Sequence, residues 1–410
     1  MPNDWFHDVT TISDCSPSAV FDVNAAPSWA ATSGAAMQEA RGSGGSAGSK
    51  NPQARLEALR DMFQESPDVP STPPRSITGE VRERTIWAYW AQGYDDMPEF
   101  FKMCVGTWQR SNPHWDVRVL QKTTVHEFLS EVELPNHFMQ MFSHQTASDA
   151  VRLGVLSRYG GVWLDVNMIL RTSLDSFCWN AISSGRKSAA VCFHPYYGTE
   201  ALGGQDFVES WFLATKPGNP FFLRWRDLFR ELFHNRLDTE GILEHPLYQG
   251  IDLSGFERLN AEFSGSGMEF REYLAIHAMC HRLIETDPQA RAQWRDSFQR
   301  TDAADTAFRM QLDAQASGMA AAEVLMSQDP RADDIVEGIP LIKFTTPHYG
   351  PLLFLQRSQL ADRRTLLGRL LDPQDAPSGS TPPRGERAPP RVRWARKAQH
   401  ACPGQQARFF

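Results

Sequence analysis

The segment SDAVRLGVLSRYGGVWLDVN, at residues 148–167, constrains the fold more than any other part of the sequence. Apolar residues recur at helical spacing from 147 to 159, which predicts a helix whose apolar stripe packs on a sheet. Gly160 and Gly161 follow, and the left-handed backbone that ends many helices costs glycine little. The next residues, VWL, are apolar and predict a buried strand that ends at Asp165. A helix, a tight turn and a strand are therefore expected in direct succession.

Similar strand and helix patterns alternate between about residues 83 and 355. Strands are predicted in TIWAYW, WDVRVL, VWLDVNMIL and SAAVCFHPY. Helices are predicted in MPEFFKMCVGTWQRSNP, TTVHEFLSEV, SHQTASDAVRLGVLSRY and NPFFLRWRDLFRELFHNR. This alternation predicts an α/β domain over residues 83–355, with a mainly parallel central sheet flanked by helices.

Both ends of the chain differ from this pattern. Residues 1–80 are rich in Ala, Ser, Gly and Pro, and we expect them to be largely disordered apart from a short helix near 54–64. Residues 372–410 are rich in Pro and Arg and predict a disordered basic tail. Such a tail is usually a solvated arm, and contact with an acidic surface is the alternative.

Composition argues against several classes of protein. The net charge of −8 is opposite in sign to what general nucleic-acid binding requires. The six cysteines lie far apart, as expected for a reduced intracellular chain rather than a disulfide scaffold. The N-terminus has acidic residues and no apolar run, and no apolar stretch approaches the roughly 18 residues of a membrane helix. A cytoplasmic enzyme without a transmembrane segment is the expectation.

Four polar residues lie around the predicted strand end. Asp149 and Arg152 are three apart on the helix, and on their own they favour an ordinary surface ion pair. Asp165 is placed where ligands of open α/β sheets bind, beyond the carboxyl end of a strand. In an extended segment Asp165 and Asn167 point to the same side, and their oxygens suit Mg²⁺ or Mn²⁺. A simple strand-end turn is the alternative for Asp165.

The order Ser-Asp-x-x-Arg, followed by Leu and then Tyr-Gly-Gly-Val-Trp-x-Asp, resembles the sugar-binding "DXD" region of GT-A glycosyltransferases. It is most similar to the capsular polysaccharide synthesis proteins, the yeast-type initiating mannosyltransferases and the large clostridial glucosylating toxins. Further blocks resemble the same family: TIWAYWAQG, WQRSNPHWDVRVL, ESWFLATKPGNPF and IPLIKFTTP. The resemblance spans about 83–350 and implies a GT-A-type, Rossmann-like nucleotide-sugar-binding domain.

The resemblance also implies an activity. Such a protein is a glycosyltransferase that moves a hexose from a nucleotide-sugar donor to a glycan or other hydroxyl acceptor, with retention of configuration. Its place is in polysaccharide or glycoconjugate synthesis. The acceptor hydroxyl is expected to lose its proton to the donor phosphate, since no catalytic nucleophile is identifiable.

Site residues carry over from the resemblance one by one. Arg152 and Asp165 match the catalytic positions, with Arg152 near the donor diphosphate or sugar and Asp165 at the metal or the ribose. Asp149 is expected to bind ribose or sugar hydroxyls. Trp90 matches an aromatic residue that stacks on the nucleotide base, with core packing as the alternative.

Four later residues complete the expected site. Glu209 and Ser210 fall where relatives place polar groups near the transferred sugar. Lys343 is expected to neutralise the departing diphosphate, and His348 to complete a metal site with Asp165 and Asn167. For Lys343 and His348 a loop or surface role is the alternative.

Asn167 departs from the family motif, which has a second acid at this position. Hard-cation affinity depends on the charge of the ligands, so the predicted Mn²⁺ or Mg²⁺ site is weakened. The departure also keeps a second function open, a nucleotide-sugar-binding scaffold with little or no turnover. A strand-end phosphohydrolase is disfavoured, because it needs the second Asp as an acid or base.

Overall fold

The computed structural model describes residues 81–199, 204–264 and 268–372. The disorder and short helix predicted within 1–80, and the basic tail from residue 373 onward, lie outside the described residues. No helix of the described part is long and apolar enough to cross a membrane.

The centre of the structure is a mixed sheet of six strands in the described part of the chain. Its order is β2-β1-β3-β6-β5-β7; β2, β1 and β3 are parallel, β5 and β7 are parallel, and β6 is antiparallel to both of its neighbours. Two further strands, β4 and β8, form a separate antiparallel pair. The strand bounds are β1 Thr85–Tyr89, β2 Asp116–Leu120, β3 Gly161–Leu164, β4 Met168–Leu170, β5 Ala189–Phe193, β6 Val208–Thr215, β7 Phe298–Asp302 and β8 Leu341–Lys343. The predicted α/β class with a mainly parallel sheet flanked by helices is confirmed.

Helices surround this sheet. The α-helices of the described residues are α1 Glu99–Ser111, α2 His144–Tyr159, α3 Asn180–Ser183, α4 Pro220–Leu232, α5 Ser254–Glu262, α6 Phe270–Tyr273, α7 Ala275–Thr286, α8 Pro288–Ala292, α9 Arg309–Ala316, α10 Ala321–Met326, α11 Ala332–Ile335, α12 Thr346–Tyr349, α13 Arg357–Leu360 and α14 Leu366–Leu371. Shorter 3-10 and π turns cover Tyr94–Asp96, Val125–Glu127, Phe138–Gln140, Asp175–Trp179, Ile242–Glu244, Pro246–Tyr248, Gln293–Ser297 and Gly350–Phe354.

Alternate residues of the strands enter two apolar cores, one on each face of the sheet. In β1, Ile86 and Ala88 join the core that includes α1, whereas Trp87 and Tyr89 join the core that includes α2, α4 and α7. Both faces are covered, so the strands are continuously apolar, as is typical of a buried parallel sheet.

Helix α2 and its end follow the sequence prediction. Ser143 caps its start by accepting a hydrogen bond from the Thr146 backbone N–H. Gly160 ends it at φ 65°, and Gly161 follows at φ 90°. A Cβ atom on Gly161 would lie 2.4 Å from the Thr85 carbonyl oxygen, so glycine allows β3 to begin directly against β1.

Two local predictions were wrong. TTVHEFLSEV was predicted as a helix but forms only the single turn Val125–Glu127. Ser130 donates its backbone N–H to Glu133 at 2.8 Å, and such a local side-chain bond competes with helical hydrogen bonding. VWLDVNMIL was predicted to be strand over its whole length, but a turn at 165–167 divides it between β3 and β4. The predicted end of the VWL strand at Asp165 is confirmed. This division is important for the site, because β4 pairs with β8 and brings the C-terminal part of the chain to Asp165.

The packed structure continues past residue 355, the predicted end of the domain. Leu360, Leu366 and Leu367 are fully buried in the core on the α1 side of the sheet. The guanidinium of Arg110 donates to the Leu371 carbonyl, which joins α1 to the end of α14.

Candidate functional site

The candidate site lies at the edge of the sheet where β1 and β3 end and the antiparallel β6 begins. Asp165 directly follows β3, and its backbone N–H donates to the Trp211 carbonyl at 3.1 Å. Glu209 and Ser210 are near the start of β6, so its antiparallel direction places them at this same edge. The sheet topology therefore brings together residues that are more than 40 positions apart in the chain.

Arg152 is the centre of the site. Its Nη1 donates to Asp149 Oδ1 at 2.6 Å and to Ser210 Oγ at 2.7 Å, and its Nη2 donates to Asp165 Oδ1 at 2.9 Å. The guanidinium also lies over the Trp163 ring, 4.9 Å from its centre. Arg152 is only 4% exposed, so the alternative of a surface ion pair with Asp149 is wrong. One buried cation joins the helix, the strand end and the antiparallel strand.

The Asp165 carboxylate accepts hydrogen bonds from three donors. Besides Arg152, Trp163 Nε1 donates to Oδ1 at 3.0 Å and Lys343 Nζ donates to Oδ2 at 2.8 Å. Burial by itself would raise the pKa of Asp165, but the Lys343 and Arg152 cations and these hydrogen bonds hold it well below its usual range. Asp165 is therefore a carboxylate near neutral pH.

Lys343, the last residue of β8, contacts the same carboxylate, although it lies 178 positions after Asp165 in the sequence. Its Nζ lies 2.6 Å from Asn167 Oδ1 as well as 2.8 Å from Asp165 Oδ2. Asn167 Nδ2 donates to the Phe344 carbonyl at 2.8 Å, which fixes the amide with its oxygen toward the ammonium group. The Lys343 side chain is 8% exposed, so the alternative of a free surface lysine is wrong. We call the six residues Arg152, Asp149, Asp165, Ser210, Asn167 and Lys343 the Arg152 cluster.

Two acids of the site have raised pKa values. Burial raises the pKa of Asp149 to about 7; Arg152 opposes this rise, and the charge of Asp165 adds to it. Burial also raises the pKa of Glu209 to about 8, although the hydrogen bond from Trp211 Nε1 and the charge of Lys343 oppose it. Near neutral pH the site therefore holds two cations, one ionised carboxylate, Asp149 close to half-protonation and Glu209 largely protonated.

Three of the predicted site residues lie outside the Arg152 cluster. Glu209 is 2% exposed and hydrogen-bonds to Trp211. Trp90, just beyond the end of β1, is partly buried against Phe101 with ring centres 5.4 Å apart. His348 Nδ1 hydrogen-bonds to Thr345 Oγ1 at 2.7 Å, and burial lowers the His348 pKa to about 4.

The sequence analysis did not single out several residues that surround the cluster. Trp163 and Trp211 pack their rings against Arg152 and Lys343. His277 on α7 is buried among the same charges, and this burial lowers its pKa to about 3, so it is neutral. Trp163 lies two residues before Asp165 on the same strand face, which was a usable signal. Trp211 and His277 lie far from Asp165 in the sequence, and no pattern around Asp165 indicated them.

The donor set fits a divalent cation poorly. The described residues contain no group of three or more His, Cys, Asp and Glu able to hold a metal ion. Asp165 and Asn167, two of the three predicted ligands, already accept hydrogen bonds from the Lys343 ammonium group. A divalent ion between these two oxygens would have to displace the Lys343 ammonium group. The ion would then be repelled by the nearby positive charges of Lys343 and Arg152.

Comparison with known proteins finds similarity to glycosyltransferases over about half of the chain. Residues 53–239 match the model of the family described as capsular polysaccharide synthesis protein. Glycosyltransferase afumC of Aspergillus fumigatus is 33% identical over 213 residues, covering 49% of this chain and 54% of that protein. O-glycosyltransferase braB of Annulohypoxylon truncatum is 27% identical over 217 residues, covering 49% and 51%. The chain thus spans about half the length of the curated relatives it matches.

The similarity to solved structures is weaker. The galactosyltransferase LgtC in complex with donor and acceptor sugar analogues has a TM-score of 0.31 and 12% identity, covering 70% of this chain and 95% of that one. The PaToxG glycosyltransferase has a TM-score of 0.28 and 16% identity, covering 52% and 84%. Over residues 53–239, this chain is similar to capsular polysaccharide synthesis proteins.

Proposed function

We propose that this protein is a glycosyltransferase that moves a hexose from a nucleotide-sugar donor to a hydroxyl group of a glycan or other acceptor. The observation that supports this most is the Arg152 cluster at the carboxyl edge of the sheet, where ligands of such sheets bind. The family match and the glycosyltransferase relatives support the same reaction class. Polysaccharide or glycoconjugate synthesis is the proposed setting.

The reaction requires positive charge beside the leaving group. The bond between the anomeric carbon and the diphosphate oxygen breaks with its electron pair on that oxygen, and the acceptor oxygen bonds to the anomeric carbon. The acceptor hydroxyl proton passes to the departing diphosphate, which balances the exchange. Retention of configuration places the acceptor on the face that the diphosphate leaves. A buried cation aimed at the developing negative charge stabilises this transition state more than it would in water.

Lys343, Arg152 and Asp149 have different roles in this reaction. Lys343 carries the charge that stabilises the diphosphate. Arg152 positions Asp149, Asp165 and Ser210, since its guanidinium is hydrogen-bonded to all three. Asp149 binds ribose or sugar hydroxyls.

The outer residues of the site bind the rest of the donor. Trp90 stacks on the base at the end of β1, where its ring is only partly buried. Glu209 and Ser210 face the transferred sugar, and Glu209, held largely protonated at neutral pH, is able to donate a hydrogen bond to it.

A donor screen tests the proposal on the full chain. A panel of nucleotide sugars is added to the protein, and thermal stability and free-sugar release are measured. A donor at a hundred times its Kd stabilises the native state by about 2.7 kcal/mol, which raises the melting temperature by several degrees.

A matched pair of variants locates the binding. Asp149→Asn changes one carboxylate of the Arg152 cluster, whereas Asp227→Asn changes an exposed carboxylate on α4 that also contacts an arginine. We expect donor affinity to fall about ten-fold or more in the first variant and to be unchanged in the second. Donor binding without release or transfer of sugar would favour the scaffold function. Failure to bind any nucleotide sugar would refute both functions.

A further inference from the structure

We infer that the Lys343 ammonium group takes the place of the divalent cation in this site, so that the protein turns over its donor without a metal ion. The inference rests on the proposed function, because it concerns the charge that stabilises the leaving diphosphate. It starts from one geometric fact: Lys343 Nζ lies between Asp165 Oδ2 and Asn167 Oδ1, at 2.8 and 2.6 Å.

The charge of the site balances with the ammonium group in place. A divalent cation held by two carboxylates gives a sum of zero, as +2 and −2. Lys343, Asp165 and Asn167 also sum to zero, as +1, −1 and 0. The loss of one acid at position 167 is therefore matched by the replacement of a doubly charged ion with a singly charged one.

Asn167 is suited to the ammonium group in a way that an acid is not. Its oxygen accepts from Lys343 while its Nδ2 donates to the Phe344 carbonyl at 2.8 Å. A carboxylate at this position has no donor, so it would place an oxygen against the Phe344 carbonyl oxygen. The amide is what the turn between β3 and β4 requires once Lys343 is present.

Further contacts hold the backbone and the side chain of Lys343 in position. The Lys343 backbone N–H donates to the Ala307 carbonyl at 3.1 Å, and its carbonyl accepts from the Gln311 side chain. Its Nζ lies 6.0 Å from the centre of the Trp211 ring. Asp165 and Asn167 take two of its three N–H groups, so one remains for a phosphate oxygen.

Two measurements on the full chain test the inference. In the first, Mn²⁺ alone and Mn²⁺ with UDP or GDP are titrated into the protein, and bound Mn²⁺ is followed by electron paramagnetic resonance. We expect no bound Mn²⁺ that depends on Asp165, judged by comparison with Asp165→Asn. The double variant Asn167→Asp/Lys343→Met restores the second acid and removes the ammonium group, and we expect it to bind Mn²⁺ about ten-fold more tightly or better.

The second measurement is turnover of the donor in chelator. Wild-type turnover should be unchanged by the chelator, whereas Lys343→Met should lose about a hundred-fold, similar to the loss of one preorganised transition-state donor. Lys216→Met is the matched control, because the Lys216 ammonium group donates to the Ser183 carbonyl on an exposed surface, away from the Arg152 cluster.

The outcomes separate this inference from the proposed function. Wild-type Mn²⁺ binding that is lost in Asp165→Asn, or wild-type turnover that falls ten-fold in chelator and returns with Mn²⁺, would overturn the inference and leave the transferase intact. If no nucleotide sugar binds, the proposed function fails, and the inference fails with it. The wild-type measurements decide between these outcomes even if the double variant does not fold.

Discussion

The substitution Asp165→Asn removes one negative charge from between two buried cations and keeps the shape of the side chain. In the wild type, Asp165 accepts from Arg152 at 2.9 Å, from Lys343 at 2.8 Å and from Trp163 at 3.0 Å. An amide in this place accepts fewer hydrogen bonds and directs an N–H group toward at least one cation. We expect a folded but less stable protein.

The size of the effect follows from the burial of the partners. Removing one member of a buried ion pair costs about 3–5 kcal/mol, because the other member remains buried and unpaired. The Asp165 side chain is 28% exposed, so water relieves part of this cost, and we expect about 2–4 kcal/mol. For a domain of this size that corresponds to a melting temperature lower by about 4–10 °C.

Urea denaturation at pH 7 measures the free energy of unfolding, with Asp227→Asn as the control for an exposed carboxylate. A double-mutant cycle with Lys343→Met isolates the pair, and a coupling of about 1 kcal/mol or more is expected. The pKa of Asp165 is depressed, so its stabilisation is present above about pH 4 and is lost as the pH falls further. An Asp165→Asn variant as stable as the wild type at pH 7 would refute the assignment of Asp165 as the counterion of both cations.

Two further predictions concern the strand start and the buried acid. Gly161→Ala should lower the free energy of unfolding by several kcal/mol in urea denaturation, because its Cβ would meet the Thr85 carbonyl. Gly185→Ala, at φ 76° with no atom within 4 Å, should cost only about 1–2 kcal/mol. Equal costs would contradict the steric argument. Glu209→Gln should flatten the pH dependence of stability. The pKa of Glu209 is raised to about 8, so its contribution to the free energy of unfolding is full below about pH 4.5 and is lost as the pH rises through about 8. The loss amounts to up to about 1.4 kcal/mol per pH unit. The same change at the exposed Glu257 should leave the profile as it is, and a wild-type profile without this slope would show that Glu209 is ionised in the fold.

Local patterns were enough to predict the part of the site that lies within 148–167. Helical spacing, two glycines and a short apolar run place Asp149, Arg152 and Asp165 at one strand end, and the structure brings these three side chains together. These elements were predictable because each depends on residues adjacent in sequence. The helix predicted from TTVHEFLSEV does not form, although the cause is also local. The Glu133 side chain accepts hydrogen bonds from Ser130, and such bonds compete with the helical hydrogen bonds.

The remainder of the site depends on contacts that no sequence window contains. Lys343 is 178 positions from Asp165, and its β8 strand is only three residues long. In the sequence Lys343 is a cation within the family-like block IPLIKFTTP. The sequence did not show that β4 turns away from the main sheet after Asn167 and pairs with β8. The burial of Glu209 depends in the same way on β6 running antiparallel between β3 and β5.

The position of Lys343 changes how Asn167 is interpreted. Considered within the motif alone, an amide in place of the second acid weakens the expected metal site and keeps a scaffold with little or no turnover open as the alternative. Considered with β8 in place, the amide accepts from Lys343 and donates to Phe344, and an acid could do only the first. The family match ends at residue 239, before Lys343, so the matched region by itself contains the loss but not its compensation. The positive charge that we propose for glycosyl transfer therefore depends on residues outside the matched region, and on this proposal we expect an active transferase rather than a scaffold.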